Sequence, residues 1–315
     1  MAGFDYIIIG GGSAGCVLAN RLSISGKLEV LLIEAGPTDN RFWVKTPIGY
    51  GMAFHDETIN WAYHTIPEIG LGNRQLYWPR GKILGGSSSI NALVYHHGQP
   101  ADYDDWAAAG NPAWDYDAIK PVYDGFEDVI RANTQPVQKG KLTVSDVADE
   151  YHPLKSYCFA MANEMGLQSE AACQLSGEGI YPYFITTLKG QRCSSSQAFL
   201  TPARGRPNLT IMTDSMATRI ETADGRAVAV HVMQKGKAIR LAASCEIILS
   251  AGAVNSPQIL QLSGIGPGAI SQRHGIDAVL DQPNVGLHLS DHLGINYYQK
   301  ANQPTLNAIL GSWPR

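Results

Sequence analysis

Three glycines near the start of the chain have the spacing of a loop that binds a dinucleotide. Gly10, Gly12 and Gly15 form the pattern G-x-G-x-x-G directly after the apolar run FDYIII. In such a loop the first glycine permits a tight turn, the second lets the backbone approach a pyrophosphate, and the third lets a helix pack on a strand. Glu34 ends the next apolar run, where a carboxylate can accept hydrogen bonds from a ribose. The spacing therefore predicts a dinucleotide site.

A competing motif overlaps this loop. Gly11, Ser13 and Gly15 fit G-x-S-x-G, the elbow on which some hydrolases carry a nucleophilic serine after a strand. An elbow would fall on the first strand of the chain and would leave Gly10 without a role. We therefore expect a phosphate loop, and labelling by a serine-directed phosphonate would distinguish the two.

A second run of small residues narrows the choice of dinucleotide. Gly85, Gly86 and Ser87–Ser89 precede a predicted helix that contains Asn91. An NAD enzyme does not need such a second loop. The flavin of FAD extends beyond the first fold unit, so a second stretch of main chain must lie close to the cofactor, and small residues permit this. The second loop favours FAD, and we expect that larger side chains at 85–89 would block it.

The elements that must position these loops follow from the apolar pattern. Residues 4–9 are a continuous apolar run, typical of a parallel strand buried on both faces. A helix from Ser13 to Leu22 and a second buried strand ending at Glu34 complete a strand–helix–strand unit. Further along we predict an irregular aromatic region at 37–80, helices within 114–128 and 152–167, a strand at 179–188, short strands across 208–252, and a helix before 266. The pattern predicts an α/β fold, α+β when the whole chain is considered.

Composition excludes several classes of function. The 315 residues carry 24 basic and 28 acidic side chains, a mild balance that indicates neither nucleic-acid binding nor a polybasic membrane surface. The five cysteines are an odd number without a C-x-x-C motif, so neither disulfides nor a zinc site are expected. No signal peptide or membrane-spanning stretch is recognisable, and we expect a cytoplasmic protein.

The nine histidines do not predict a metal site. His96 and His97 are adjacent and would point in different directions on a helix, so we expect a polar helix face there. His55 and His64 are expected at the surface. Asp291 and His292 are expected to form a structural hydrogen bond, since immediate neighbours rarely act as a base and its orienting group.

Two long motifs resemble the signatures of the glucose–methanol–choline (GMC) oxidoreductases, in particular their choline and aliphatic-alcohol dehydrogenase branch. The residues that match the first signature are Gly81, Lys82, Leu84, Gly85, Gly86, Ser87, Ser88, Ile90, Asn91, Tyr95, Gly98 and Asp104. The residues that match the second are Gly252, Ala253, Ser256, Pro257, Ile259, Leu260, Ser263, Gly264 and Gly266. The stretches 190–211 and 286–294 also resemble the family, so that the resemblance covers nearly the whole chain.

The resemblance implies a Rossmann-like FAD-binding domain formed by 1–145 and 190–290, and a second, incomplete antiparallel-sheet substrate domain formed by 146–189 and 291–315. It implies oxidation of an alcohol to an aldehyde by hydride transfer to flavin N5. The residues it places at the cofactor are Gly10, Gly12, Ser13, Ala14, Gly15, Glu34, Ala35, Trp61, Arg80, Gly81, Leu84, Gly85, Gly86, Ser87, Asn91, Ala92, Val94, Ala217, Ala251 and Gly252. Ala217 would contact adenine through its backbone.

Some positions depart from the family pattern. Ile90 occupies the place where some members carry the histidine that binds FAD covalently, so we expect non-covalent FAD. His97 stands where an arginine is common, and His288 and Ser290 replace a usual asparagine and glutamine. The family's catalytic histidine lies in a C-terminal segment that this chain does not contain, so we expect no catalytic residue here. Either a C-terminal fragment exists as a second polypeptide, or the chain is a truncated product.

Several alternatives stay open from the sequence. A GMC-like fold also supports non-redox chemistry, as in a hydroxynitrile lyase or a fatty-acid photodecarboxylase, and an inactive truncated flavin-binding protein is a third alternative. The identity of the alcohol, the choice of oxygen or a quinone as electron acceptor, and a peripheral attachment to the inner membrane are equally open.

Overall fold

The computed structural model describes residues 3–131, 141–169, 177–292 and 294–306, which fall into two compact units. Of these residues, 3–93, 141–143 and 187–289 belong to the first unit, and 94–131, 144–169, 177–186 and the remainder from 290 belong to the second. The division expected from the sequence placed 94–131 with the cofactor domain, whereas the structure places this segment in the second unit.

The first unit contains a six-stranded sheet with helices and short strands around it. Its elements are β1 (Phe4–Ile9), α1 (Ser13–Ser23), β2 (Val30–Ile33), α2 (Phe42–Lys45), α3 (Tyr50–Ala53), β3 (Tyr63–His64), β4 (Tyr77–Trp78), β9 (Thr187–Leu188), β10 (Gln191–Arg192), β11 (Leu209–Met212), β12 (Ser215–Ala223), β13 (Arg226–Gln234), β14 (Lys237–Leu249), α7 (Gly252–Leu262), β15 (Ile265–Gly266), α8 (Gly268–Arg273) and β16 (Leu280–Asp281).

The large sheet has a parallel half and an antiparallel half. Its strand order is β11-β2-β1-β14-β13-β12. β1 pairs in parallel with β2 and β14, and β2 pairs in parallel with β11. β13 pairs antiparallel with both β12 and β14. β14 therefore joins the two halves, with its last residues beside β1 and its first residues beside β13.

The core of the first unit lies on this sheet. Ile7, Ile8 and Leu31 are fully buried, as expected for parallel strands covered on both faces. One cluster joins Ile7 and Leu31 of the parallel half to Val230 of the antiparallel half and Ile259 of α7. Burying one such side chain contributes roughly 1.5–3 kcal/mol, so this cluster fixes the strand ends that carry the glycine loop.

The described residues of the second unit form a smaller sheet and three α-helices. Its elements are β5 (Val94–Tyr95), α4 (Pro100–Ala108), α5 (Tyr116–Phe126), β6 (Glu127–Arg131), β7 (Leu142–Asp146), α6 (Lys155–Glu164) and β8 (Phe184–Ile185). The strand order is β5-β8-β7-β6, and β8 pairs antiparallel with both β5 and β7. β7 begins with two residues of the first unit. The expected antiparallel sheet is present.

Several predicted elements differ from those observed. Of the short strands expected across 208–252, the stretch 237–249 is one strand of 13 residues, because Ala242 pairs with β13 and Ala243 pairs with β1 without a turn between them. The predicted strand at 179–188 is confined to β8 and β9. Pro121 lies inside α5 without ending it. The region 37–80 is not wholly irregular, since it contains α2, α3, β3 and β4.

Helices able to cross a membrane were sought among the described residues. None of them combines the length and the apolar composition that a crossing requires.

Candidate dinucleotide-binding site

The glycine loop connects the end of β1 to α1. Gly10 has φ +101°, and a Cβ added there would lie 2.4 Å from the carbonyl oxygen of Ser250. A Cβ on Gly15 would lie 1.9 Å from the carbonyl oxygen of Gly10. Protein contacts alone thus require glycine at these two positions, because the helix packs directly on the turn.

Gly12 has a different role. It has extended backbone angles and precedes the first residue of α1, and the nearest atoms to a Cβ added there are 4.0 Å away. No neighbour in the protein therefore requires a glycine at this position. A Cβ would instead project into the groove that the loop lines. This is the arrangement expected where a ligand approaches the main chain at the N-terminal amides of a helix.

The second small-residue loop packs against the first. Gly85 donates its backbone N–H to the carbonyl oxygen of Gly11 at 2.7 Å. Gly86 has φ +55°, and a Cβ on it would lie 2.8 Å from the Cα of Gly12. The contact between the two loops, rather than a cofactor alone, accounts for the small residues here. The helix predicted after this loop is wrong: Gly86–Ser89 is a 3₁₀ turn followed by β5.

Glu34 lies directly after β2 and is only 6% exposed. Its Oε2 accepts the N–H of Gly11 and its Oε1 accepts the N–H of Gly36, both at 2.9 Å. Burial raises the pKa of this carboxyl to about 7, although the backbone N–H donors oppose the shift. Glu34 also lines the groove, so its carboxyl can hydrogen-bond a ribose hydroxyl from a fixed position.

The groove lies within the first unit and has a volume of about 780 Å³. It runs over the ends of the parallel strands, where ligands bind in open α/β sheets. Of the residues predicted at the cofactor, those that line it are Gly10, Gly12, Ser13, Ala14, Glu34, Ala35, Trp61, Arg80, Gly81, Gly86, Ser87, Ala217, Ala251 and Gly252.

Six of the residues predicted at the cofactor do not line this groove. They are Gly15, Leu84, Gly85, Asn91, Ala92 and Val94. Gly15 and Leu84 are buried beneath the loops, and Gly85 makes the contact between them. Val94 belongs to the second unit, where it pairs with Ile185.

The sequence analysis missed a pair that joins two sides of the groove. Tyr63 of β3 donates its hydroxyl hydrogen to Oδ1 of Asn255 in α7 at 2.6 Å. The ring of Tyr63 stacks on Trp61, with a centroid distance of 6.0 Å and nearly parallel planes. Both Tyr63 and Asn255 line the groove. The aromatic spacing of Trp61 and Tyr63 was a usable signal, but nothing in the sequence indicated that Asn255 would face them.

The histidines take other positions, and none of them is among the described residues that line the groove. His97 is not on a polar helix face: it is 6% exposed, its Nε2 lies 3.0 Å from Oε2 of Glu127, and its ring stacks on Tyr123. His55 and His64 are exposed as expected. His292 donates its backbone N–H to Asp291, a structural bond as expected.

Neither a metal site nor a serine nucleophile finds support in the part of the chain that the structure describes. No three metal-ligating side chains converge there. Ser13 is exposed at the start of α1, and no histidine or carboxylate in that part of the chain hydrogen-bonds its hydroxyl. An elbow serine needs such a base, so the loop is better explained by phosphate binding.

Comparison with known proteins identifies the family. The model of the GMC oxidoreductase family matches residues 4–294. The chain belongs to the GMC oxidoreductase family. An "Alcohol dehydrogenase [acceptor]" of Pseudomonas putida is 42% identical over 96% of this chain and 55% of its own length. An "Oxygen-dependent choline dehydrogenase" of Photobacterium profundum is 39% identical over 98% of this chain and 55% of its own length.

A solved structure supports the same assignment. An FAD-dependent oxidoreductase from Chaetomium thermophilum superimposes with a TM-score of 0.81 and 28% identity, over 89% of this chain and 51% of that chain. The Rossmann-like fold expected from the sequence is confirmed. This GMC oxidoreductase chain spans about half the length of the curated relatives it matches.

Proposed function

We propose that this chain is the FAD-binding portion of an oxidoreductase that converts an alcohol to an aldehyde. The observation that carries the proposal is the groove over the parallel strands, which Gly12 lines. No protein atom lies close enough to Gly12 to require a glycine there, so the space beside its backbone is open to a ligand. The family and the printed names of the relatives support an oxidoreductase that acts on alcohols. The dinucleotide is FAD rather than NAD because a second backbone loop continues the groove beyond the first.

The residues of the groove fit the ADP half of the cofactor. The amides at the start of α1, after Gly12, are free to bind the pyrophosphate, and Glu34 would bind the ribose. The backbone at Ala217 would contact adenine, and Ala251 and Gly252 would pass near the pyrophosphate. Gly86 and Ser87 would contact the part of the cofactor that leads towards the flavin.

The proposed attachment of FAD is non-covalent. Ile90, at the position where some family members have a histidine, is 2% exposed and packs with Ile59 and Ile83. An aliphatic side chain has no nucleophile with which to form a bond to the flavin. Acid precipitation of the protein should therefore release all of the flavin into the supernatant.

When bound, the flavin would supply the two-electron acceptor for the hydride that leaves the alcohol carbon. This chain's residues would hold the cofactor and exclude water from it. The base that takes the hydroxyl proton is proposed to lie in the part of the relatives' length that this chain does not span. The absence of histidine among the described lining residues is consistent with this proposal.

The test is to purify the chain together with a polypeptide that supplies the proposed base, record the visible spectrum of the assembled protein, and add primary alcohols without oxygen. Two oxidised-flavin bands that bleach on addition of an alcohol are expected. Protein that stays colourless when FAD is supplied would contradict the assignment of the cofactor. A bound flavin that no alcohol reduces would instead point to the non-redox members of the family.

Two glycine substitutions sharpen this test. Gly12→Ala should abolish FAD binding while leaving the fold intact, because its Cβ meets only the groove. Gly125→Ala lies inside α5, where a Cβ has no neighbour within 4 Å, and should bind FAD normally. Equal binding by both variants would count against the proposed cofactor position.

A further inference from the structure

Cys16 is a buried thiol that the proposed binding of FAD does not yet use. It is the fourth residue of α1 and is completely buried. Burial raises the pKa of the thiol above its ordinary value, so the sulfur keeps its hydrogen at neutral pH. The thiol donates to the carbonyl oxygen of Gly11, with 3.2 Å between sulfur and oxygen. Since a carbonyl oxygen can only accept, this bond requires a hydrogen on the side chain at position 16.

The carbonyl oxygen of Gly11 is held in the interior by two donors. Besides the thiol of Cys16, it accepts the backbone N–H of Gly85 at 2.7 Å. Gly11 itself is buried, and its own N–H donates to Oε2 of Glu34 at 2.9 Å. Turning this carbonyl towards the groove would break the bonds to both Cys16 and Gly85. The protein alone therefore fixes the orientation of the Gly11 carbonyl.

The direction of this carbonyl determines the direction of the next backbone N–H. The peptide bond between Gly11 and Gly12 is trans, as are all peptide bonds among the described residues. In a planar trans peptide the C=O and the N–H point in opposite directions. Because the carbonyl of Gly11 is turned to the interior, the N–H of Gly12 points to the opposite side, where Gly12 lines the groove. This N–H donates to no other described residue.

The main chain of Cys16 orients the following peptide in the same sense. Its N–H donates to the carbonyl oxygen of Gly12 at 3.0 Å, and this bond begins α1. The N–H of Ser13 therefore points away from that carbonyl, out of the N-terminal end of the helix. Any residue other than proline at position 16 would form this main-chain bond. Only the side-chain bond to Gly11 depends on the thiol.

We propose that Cys16 is a positioning residue for the pyrophosphate of the cofactor: its thiol holds the carbonyl of Gly11 inward and thereby directs the N–H of Gly12 into the groove. The N–H groups of Gly12 and Ser13 then face the same negatively charged group, and the dipole of α1 adds to their attraction for it. This inference rests on the proposed function, because it requires a dinucleotide in the groove of the first unit.

The experiment measures the dissociation constants of ADP and of adenosine for the full chain without FAD, by calorimetry. ADP carries the pyrophosphate and adenosine lacks it, so the two ligands separate phosphate binding from nucleoside binding. In Cys16→Ala the dissociation constant of ADP should rise about fivefold, as expected when one hydrogen bond of about 1 kcal/mol is lost. The dissociation constant of adenosine should not change. A merely structural cysteine would alter the binding of both ligands alike or of neither, and either result would overturn the proposal.

Cys16→Ser tests whether the donor matters rather than the volume of the side chain. Its hydroxyl can donate to the same carbonyl oxygen of Gly11, so most of the ADP affinity that Cys16→Ala loses should return. Equal losses of ADP affinity in the serine and alanine variants would attribute the effect to packing and would overturn the proposal.

Cys193→Ala is the matched control. Cys193 is also a buried thiol of the first unit, 2% exposed, but it does not line the groove, and Thr143 rather than the glycine loop lies within hydrogen-bond reach of its sulfur. This variant should lose stability, as truncations in a core do, and should bind ADP as the unmodified protein does. A loss of ADP affinity as large as that of Cys16→Ala would overturn the proposal.

A measurement on the unmodified protein keeps the proposal testable if the variants at position 16 do not fold. In protein labelled with ¹⁵N-glycine, the amide resonance of Gly12 is the one that Gly12→Ala lacks. It should shift downfield when ADP is added, as an N–H that donates to a phosphate does, and should shift less with adenosine. A Gly12 amide that bound ADP leaves unchanged would overturn the inference, whereas a full chain that binds neither FAD nor ADP would refute the proposed function itself.

Discussion

Glu34 shows how much the environment of a single residue adds to a sequence motif. Its position after the second strand predicted a ribose contact, and the structure places it at the groove. The motif did not indicate that the carboxyl is buried and accepts two backbone N–H groups. Burial removes water from the charged form, and this raises the pKa to about 7.

A pH dependence of stability follows from this pKa. Between the ordinary value of 4.5 and about 7, the unfolded carboxyl is ionised while the folded one retains its proton. The folded state therefore loses stability as pH rises through this window. Between pH 5 and pH 8 the unmodified protein should lose about 2 kcal/mol more unfolding free energy than Glu34→Gln.

Urea unfolding at the two pH values, without added FAD, measures this difference. Glu29→Gln, at an exposed position, is the control and should behave as the unmodified protein does. A Glu34→Gln variant with the same pH profile as the unmodified protein would show that the carboxyl is ionised in the folded state at all of these pH values.

The three glycines of the first loop have the same standing in the sequence motif, but they differ in the contacts that an added Cβ would make in the folded protein. A Cβ added to Gly10 or Gly15 would lie within 2.4 Å of a backbone oxygen, whereas one added to Gly12 would have no such contact. The pattern of spacing predicted all three. Only the packing of α1 on the turn separates Gly10 and Gly15, where protein contacts require a glycine, from Gly12, where none does.

At the scale of elements, β3 and α7 are joined across the groove by the Tyr63–Asn255 hydrogen bond. Tyr63→Phe removes this bond and keeps the ring that stacks on Trp61. Because a neutral hydrogen bond contributes about 1 kcal/mol, we expect FAD to dissociate about fivefold faster.

Flavin fluorescence after dilution or displacement measures this rate. Tyr297→Phe, at a side chain that is 84% exposed, is the control. An unchanged dissociation rate in Tyr63→Phe would show that the two sides of the groove are held without the hydroxyl.

The elements of the first unit were predicted with uneven success. β1 and the helix that follows it agree with the sequence analysis, since a continuous apolar run and a glycine turn are strong local signals. The long strand β14 was divided in error because exposed and half-buried residues alternate along its first part, whereas its last three residues are all half-buried, so that the pattern changes along one strand. That change reflects its two different partners, β13 and β1.

At the scale of the whole molecule, binding of a dinucleotide to the folded state should stabilise the protein by mass action. At a hundredfold excess of FAD over its dissociation constant, the unfolding free energy should increase by about 2.7 kcal/mol. ADP should give a smaller increase, because the groove of the first unit would hold the ADP half of FAD.

Thermal melting with FAD, ADP and no ligand measures this effect. Gly12→Ala should show no shift with either ligand. A shift of the same size in Gly12→Ala would place the binding site elsewhere in the chain.

The amino-acid sequence by itself determined the local features: the glycine loop, its strand and helix, the acidic residue after the second strand, and the two signatures of the family. These are readable because each depends on a short range of residues, through backbone angles, periodicity and spacing. The tertiary structure decided what those features contact. It brought Gly86 against Gly12, buried Glu34, joined Tyr63 to Asn255 and placed Arg192 against Asn91. Such contacts join residues far apart in the chain, and their energies depend on burial, which no local pattern specifies.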